Sequence, residues 1–157
     1  MPVYTLHQTI KIPSTIEKVW EFISAPDNLK KITPPYMGFD ITSKSLPSKM
    51  YPGMIIHYLV SPVLGFKTTW VTEITQVNDL KYFVDEQRVG PYRMWHHQHF
   101  IEAVEGGVLM TDIVDYQPPL GILGAAANFL MIKKKLKEIF DFRTLKIEEH
   151  FGKFKQL

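Results

Sequence analysis

Polar and apolar residues first alternate, then take up a helical period, then alternate again. In "VYTLHQTIKI", Val3, Thr5, His7, Thr9 and Lys11 fall on one side, and Tyr4, Leu6, Gln8, Ile10 and Ile12 on the other. That two-residue period predicts a half-buried strand, which Pro13 ends. In "STIEKVWEFIS" the period lengthens. Ile16, Val19, Trp20 and Ile23 recur at three- and four-residue spacing and form one apolar stripe of a helix. Ser14, with Glu17 three residues later, reads as its N-cap in a capping box. "APDNLKKITPP" predicts a turn, a short helix and a stop at the double proline.

From Phe39 the two-residue period holds almost to Pro118. "FDITSKSL", "MIIHYLVS", "FKTTWVTEITQV", "KYFVDEQRV", "RMWHHQHFIEAV" and "VLMTDIVDYQ" are six strand candidates joined by short loops. Short loops mean antiparallel pairing, because parallel neighbours need long crossovers. Pro118 and Pro119 end the last strand. A helical pattern then runs from Gly121 to Phe151, with Phe129, Ile132, Leu136, Ile139 and Phe140 on one face. Such a helix would be about 45 Å long at 1.5 Å per residue.

The order is strand, one or two short helices, six strands, one long helix. Only the helices can cover the apolar face of the sheet. A strongly curved sheet of about seven antiparallel strands, wrapped around the C-terminal helix, meets that need in one α+β domain over 1–157. A curved sheet does not close flat on a helix, so a cavity between them is expected.

Composition narrows the classes. Apolar residues make up 45% of the 157, enough for a real core and too many for a disordered chain. There is no cysteine, which excludes disulfides and thiolate chemistry and points weakly to a cytoplasmic setting. The start "MPVYTLHQTIKIP" lacks a basic segment followed by an apolar run, so no signal peptide is expected. A net charge of +2 gives no electrostatic case for nucleic acid. "LGILGAAANFLMI" is too short to span a bilayer. With "KKKLK" after it, membrane contact is conceivable, although a buried helix start followed by a solvated face is the commoner outcome.

The element order, together with "TIEKVWEFISAPDNLKKITP", "WVTEI", "GPYRMWHHQHFIE", "GGVLMTDIVDY", "PLGILG" and "IFDFR", resembles the SRPBCC superfamily over nearly the whole chain. That superfamily includes START-like, Bet v 1-like and polyketide cyclase-like domains, and the likeness is to a bacterial ligand-binding branch. The resemblance implies a helix-grip fold and an apolar cavity under the long helix. It does not fix a function, since one fold hosts many.

The sharpest local feature is His96, His97 and His99 within four positions. Strand alternation makes this a pair plus one. Trp95, His97, His99 and Ile101 share a face, and the resemblance to a Trp-x-His-x-His-x-apolar pattern turns that face to the cavity. A metal needs a third ligand, and none stands at a recognisable spacing, so neither metal nor cofactor is expected. Acid–base work would need a partner such as Asp112 or Asp115. A two-residue Gly-Gly hairpin loop favours Asp112 on the histidine face. Those same groups would equally satisfy one another as a buried network.

In "FVDEQRV", either Glu86 with Arg88 or Asp85 with Gln87 faces inward. Glu86 is carried as a candidate, beside Tyr58, Trp70, Trp95, Tyr116, Phe129 and Ile132 as lining residues. The helix-grip resemblance gathers "SPVLG", "GPY" and "QPPLG" at one end, making Val63, Leu64, Tyr92 and Leu120 candidates for an apolar mouth. No glycine-rich phosphate loop and no nucleophile elbow is present. The leading expectation is a binding protein for a small, mostly apolar partner, lipid-like or aromatic. The alternatives are a cyclase or dehydratase using His97 or His99 with an acid, and a lipid-interface protein. Nothing in the pattern sets an oligomeric state.

Overall fold

The computed structural model describes residues 2–61 and 67–154, with the side chains of Ile122 and Asn128 left aside. Seven strands form one antiparallel sheet: β1 (Tyr4–Ile12), β2 (Asp40–Ile41), β3 (Met54–Val60), β4 (Thr68–Asn78), β5 (Tyr82–Val89), β6 (Met94–Val104) and β7 (Gly107–Gln117). Their spatial order is β1-β7-β6-β5-β4-β3-β2. β2 to β7 therefore run as a meander, and β1 joins at the β7 edge. The connection from β1 to β2 must cross the full width of the sheet. It carries α1 (Ile16–Ile23) and two 3₁₀ turns, Pro26–Ile32 and Pro35–Met37.

Local chemistry explains most of these elements. α1 buries Val19, Trp20, Phe22 and Ile23 on one side. Its N-cap is Thr15, not Ser14, and the Thr15 hydroxyl accepts from the Lys18 N–H at 3.5 Å. The β6–β7 turn is Glu105–Gly106, one residue earlier than the Gly-Gly loop read from sequence. Gly106 supplies φ +81°, and a Cβ on Gly107 would stand 2.0 Å from the Ile12 carbonyl oxygen. The parity of the pairing is unchanged, so His99 faces Asp112 across the strands.

Curvature enters at β4 and β5, whose register shifts between Val71 and Thr72 and again between Ile74 and Gln76. Bulges of this kind bend a strand and increase its twist. The bent sheet closes on the C-terminal helical segment, which is not one uninterrupted α-helix. α2 (Gly121–Ala127) passes into a π-helical turn, Asn128–Ile132, and then α3 (Lys133–Phe151). α3 buries Leu136, Phe140, Arg143 and Ile147, a stripe at four-, three- and four-residue spacing. The wider π turn takes its own first residues, and those before it, out of phase with that stripe. Phe129, expected on the apolar face, is consequently 86% exposed, whereas Ile132 is buried in the core.

Candidate functional site

Between the sheet and α3 lies a cavity of about 120 Å³. Most of its wall is apolar, with Phe39, Ile56, Val60, Trp70, Phe83, Trp95, Met110, Leu136 and Phe140 among the lining residues. The aromatic side is continuous: Trp70 meets Tyr58, Tyr92 and Trp95 with ring centroids 6.2, 5.7 and 5.3 Å apart. The polar lining is Tyr58, Thr33 and Thr72, with Asp85, His97, His99 and Arg143. Tyr58 and Thr72 share a hydroxyl–hydroxyl hydrogen bond, and the Trp70 Nε1–H donates to Thr72 at 3.1 Å.

The remaining four polar residues, with Asp112 behind them, form one network. β5, β6 and β7 bring it together, since the register sets Asp85 opposite His97 and His99 opposite Asp112. α3 adds Arg143 from above. His97, His99 and Asp112 are each only 3% exposed. The two imidazoles lie against each other, centroids 3.7 Å apart, and Phe83 stacks on His99 at 4.0 Å. Asp112 Oδ1 accepts from His97 Nε2 at 2.9 Å, His99 Nδ1 at 2.9 Å and Arg143 Nη1 at 3.3 Å. Asp85 Oδ2 stands 2.8 Å from His99 Nε2 and 3.4 Å from His97 Nδ1.

Burial and pairing divide the two histidines. Burial, reinforced by the neighbouring charge of His99, pushes the His97 pKa down to about 4. Burial acts the same way on His99, but hydrogen bonds to Asp112 and Asp85 outweigh it and the pKa rises. Both carboxyls are held low despite burial: Asp112 chiefly by the Arg143 guanidinium and the imidazoles, Asp85 chiefly by the imidazoles. With His99 charged and His97 neutral, the two carboxylates are matched by two cations, and the buried group is neutral overall. Arg143 retains one loose end, because its Nε is buried without a hydrogen-bond partner among the described residues.

The expected site residues divide as follows. Tyr58, Trp70, Trp95, His97 and His99 line the cavity, and Asp112 braces the histidines from behind. Tyr92 is buried in the wall rather than exposed at a loop tip. Tyr116 is buried beside Trp95 and Tyr92. Glu86 does not line the cavity. It turns to the outer face, accepts from Arg88 at 3.1 Å and contacts His96, while Asp85 takes the inward place beside Phe83. Phe129 and Leu120 are exposed, and Ile132 packs in the core. Val63 and Leu64 lie outside the described residues.

Sequence reading missed Arg143 and Thr72 as cavity residues and left Asp85 as one of two alternatives for the inward face of β5. Arg143 had a readable signal, since it interrupts an apolar stripe three positions after Phe140 and seven after Leu136. Nothing chose between Asp85 and Glu86, because Phe83 and Val84 make both faces of β5 look equally apolar. The expectation of no metal rested on a missing third ligand, and the β5–β6 register supplies a candidate in Asp85. Among the described residues, Asp85, His97 and His99 are a group of metal-ligating side chains whose donor atoms all lie within 4.8 Å of one another.

No family model and no curated protein matches the chain. Solved structures do. A protein of Chromobacterium violaceum superposes with a TM-score of 0.68 at 12% identity, over 96% of this chain and 98% of its own. Ginseng major latex-like protein 151 from Panax ginseng gives 0.66 at 13%, over 95% and 97%. Ara h 8.0201 gives 0.59 at 14%, over 94% and 99%. Likeness at such identities establishes the fold, a curved antiparallel sheet gripping a C-terminal helix, and leaves function to the site.

Proposed function

We propose that this helix-grip chain binds a small, mostly apolar molecule, about one ring in size, that carries an oxygen acceptor at one end. The size follows from the cavity. An apolar hole of about 150 Å³ takes up benzene, and this one, at about 120 Å³, is of the same order. The shape of the wall suits an aromatic body more than an extended acyl chain, because Trp70, Trp95, Tyr58 and Tyr92 present ring faces and edges. Polar groups gathered at one part of an apolar wall orient a ligand, as in most small-molecule sites.

The observation that carries this reading is Arg143, a buried cation in the cavity lining whose Nε has no hydrogen-bond partner among the described residues. An unsatisfied buried donor costs about 1–3 kcal/mol. A carbonyl, carboxylate or phenol oxygen on the ligand would give the guanidinium a further acceptor. Native mass spectrometry of freshly purified protein, with titration by phenol, benzoate and toluene, tests the reading. Saturable one-to-one binding is expected, with the two oxygen-bearing probes favoured over toluene and that preference lost in Arg143→Met. Toluene binding as tightly as the others, or no saturable binding by any probe, would count against it.

A second reading is favoured by the surface. Leu120, Leu123, Phe129 and Leu130 are 78%, 74%, 86% and 76% exposed at the start of the C-terminal helical segment. Lys133 and Lys134 follow on exposed positions. Apolar patches beside basic residues suit the interface of an anionic bilayer, although no described helix is long and apolar enough to cross one. On this reading the cavity is loaded from a lipid surface. Flotation with phosphatidylserine vesicles, compared with phosphatidylcholine alone and with a Phe129→Ser/Leu130→Ser variant, decides it. Equal flotation in all three would remove the reading.

A further inference from the structure

We propose that Asp85, His97 and His99 form a binding site for one divalent transition-metal ion, with Asp112 as the outer carboxylate that orients both imidazoles. The proposal uses the same polar end of the cavity as the ligand-binding reading, and the experiment below separates the two.

Three geometric observations carry it. First, Asp112 Oδ1 engages one nitrogen of each ring, Nε2 of His97 and Nδ1 of His99, both at 2.9 Å. The opposite nitrogens, His97 Nδ1 and His99 Nε2, are thereby turned toward a single atom, Asp85 Oδ2, at 3.4 and 2.8 Å. Second, the two separations from Asp85 suit a common ion, and all three donors lie within 4.8 Å of one another. Bonds of 2.0–2.2 Å from zinc to nitrogen and oxygen place neighbouring donors about 2.9–3.4 Å apart, depending on whether the angles are octahedral or tetrahedral. Third, the outer contacts are of the kind that metal-bound histidines show, in which the non-ligating N–H is held by a carboxylate that fixes tautomer and ring orientation. Here one carboxylate does this for two rings, and Arg143 Nη1 holds that carboxylate in turn at 3.3 Å.

Two histidines and one carboxylate occupy one side of an ion and leave its other positions open. Asp85, His97 and His99 all line the cavity, so those open positions would face the space that takes the small molecule. Charge then refines the ligand class. A divalent ion with Asp85, Asp112 and Arg143, and with both histidines neutral, sums to one positive charge. An anionic oxygen donor, such as a carboxylate or a phenolate, would neutralise it.

The test uses the full chain, stripped with a chelator and titrated with cobalt(II) and zinc(II). Calorimetry and elemental analysis after desalting should give about one equivalent of tightly held ion, as expected for a site with three protein ligands. Asp85→Asn, close to isosteric, should abolish retention. Asp112→Asn should keep the stoichiometry and weaken affinity by roughly 10–100-fold. His96→Ala, on the outer face, should change nothing. If Asp85→Asn does not fold, copper(II) electron paramagnetic resonance on the unaltered chain should resolve two coupled imidazole nitrogens. Retention well below one equivalent, retention unchanged in Asp85→Asn, or fewer than two coupled nitrogens would overturn the proposal. Probe binding by the metal-free chain is followed in the same samples. Binding without metal retention leaves the cavity reading standing while the metal site falls, and metal retention without probe binding does the reverse.

Discussion

β5 and β6 carry two charged clusters built from the same residue types, back to back. On the inner face Asp85, His97 and His99 meet Asp112 and Arg143. On the outer face Glu86 and His96 meet Arg88, which also donates to Glu73 at 2.6 Å. A shift of one position along each strand separates the two. The inner carboxylate Asp112 leaves 4% of its side chain exposed, the outer Glu86 30% and Arg88 46%. That difference in solvent decides what the contacts do. Inside, charges out of water must be matched, and losing one partner leaves the other stranded. Outside, water and salt replace a lost partner at little cost. The inner cluster therefore depends on its own pairing, and the outer one is solvated sheet surface.

The comparison can be broken most directly by removing a cation from each side. Arg143→Met should lower unfolding free energy by about 3–5 kcal/mol, because Asp112 and Asp85 then lie buried with one fewer positive charge. Arg88→Met should cost less than about 1 kcal/mol. Urea unfolding midpoints at constant slope read both. Comparable losses from the two variants would mean that the inner cluster is wetter than its burial suggests.

Next in size are the carboxylates. Asp112→Asn removes the charge that three donors share and turns one of its atoms from acceptor to donor. A cost of about 1–3 kcal/mol is expected, the usual range for an imperfectly paired buried polar group. Glu86→Gln should stay within about 0.5 kcal/mol, as surface substitutions do. A cost for Glu86→Gln equal to that for Asp112→Asn would remove the distinction between the faces.

Alternation alone explains why so much of this was legible and where legibility stopped. The antiparallel strands, the helix under them and the shared face of His97 and His99 follow from two-residue and three-to-four-residue periods, and the resemblance to a Trp-x-His-x-His-x-apolar pattern is what turned that face inward. Asp112 was reachable because hairpin parity constrains it, even with the turn one residue off. Asp85 stayed one of two alternatives, since β5 is apolar on both sides near Phe83 and Val84, and only the β5–β6 register selects a face. Phe129 was misread for a related reason. A helical period assumes an unbroken helix, and the π turn at Asn128–Ile132 shifts the phase without leaving a mark in the hydrophobic pattern. The proposed metal site was invisible because its ligands come from two strands, and no spacing along one segment reports it.

The smallest expected effect sharpens the comparison most cleanly, since salt is varied while the same set of variants is compared throughout. Double-mutant cycles isolate the coupling of Glu73 with Arg88 on the outer face and of Asp112 with Arg143 on the inner. The outer coupling should be about 0.2–1 kcal/mol at low salt. Raising sodium chloride from 0.1 M to 1 M shortens the screening length from about 10 Å to about 3 Å, so that coupling should fall toward zero. The inner pair, at 3.3 Å and with 11% and 4% of its side chains exposed, has almost no path for mobile ions. Its coupling should hold constant across the same range. Urea, being uncharged, is the denaturant that leaves the comparison intact. If the inner coupling decays with salt as the outer one does, ions reach the cavity. Arg143 Nε would then be satisfied by solvent, and the strongest support for an oxygen-bearing ligand would be gone.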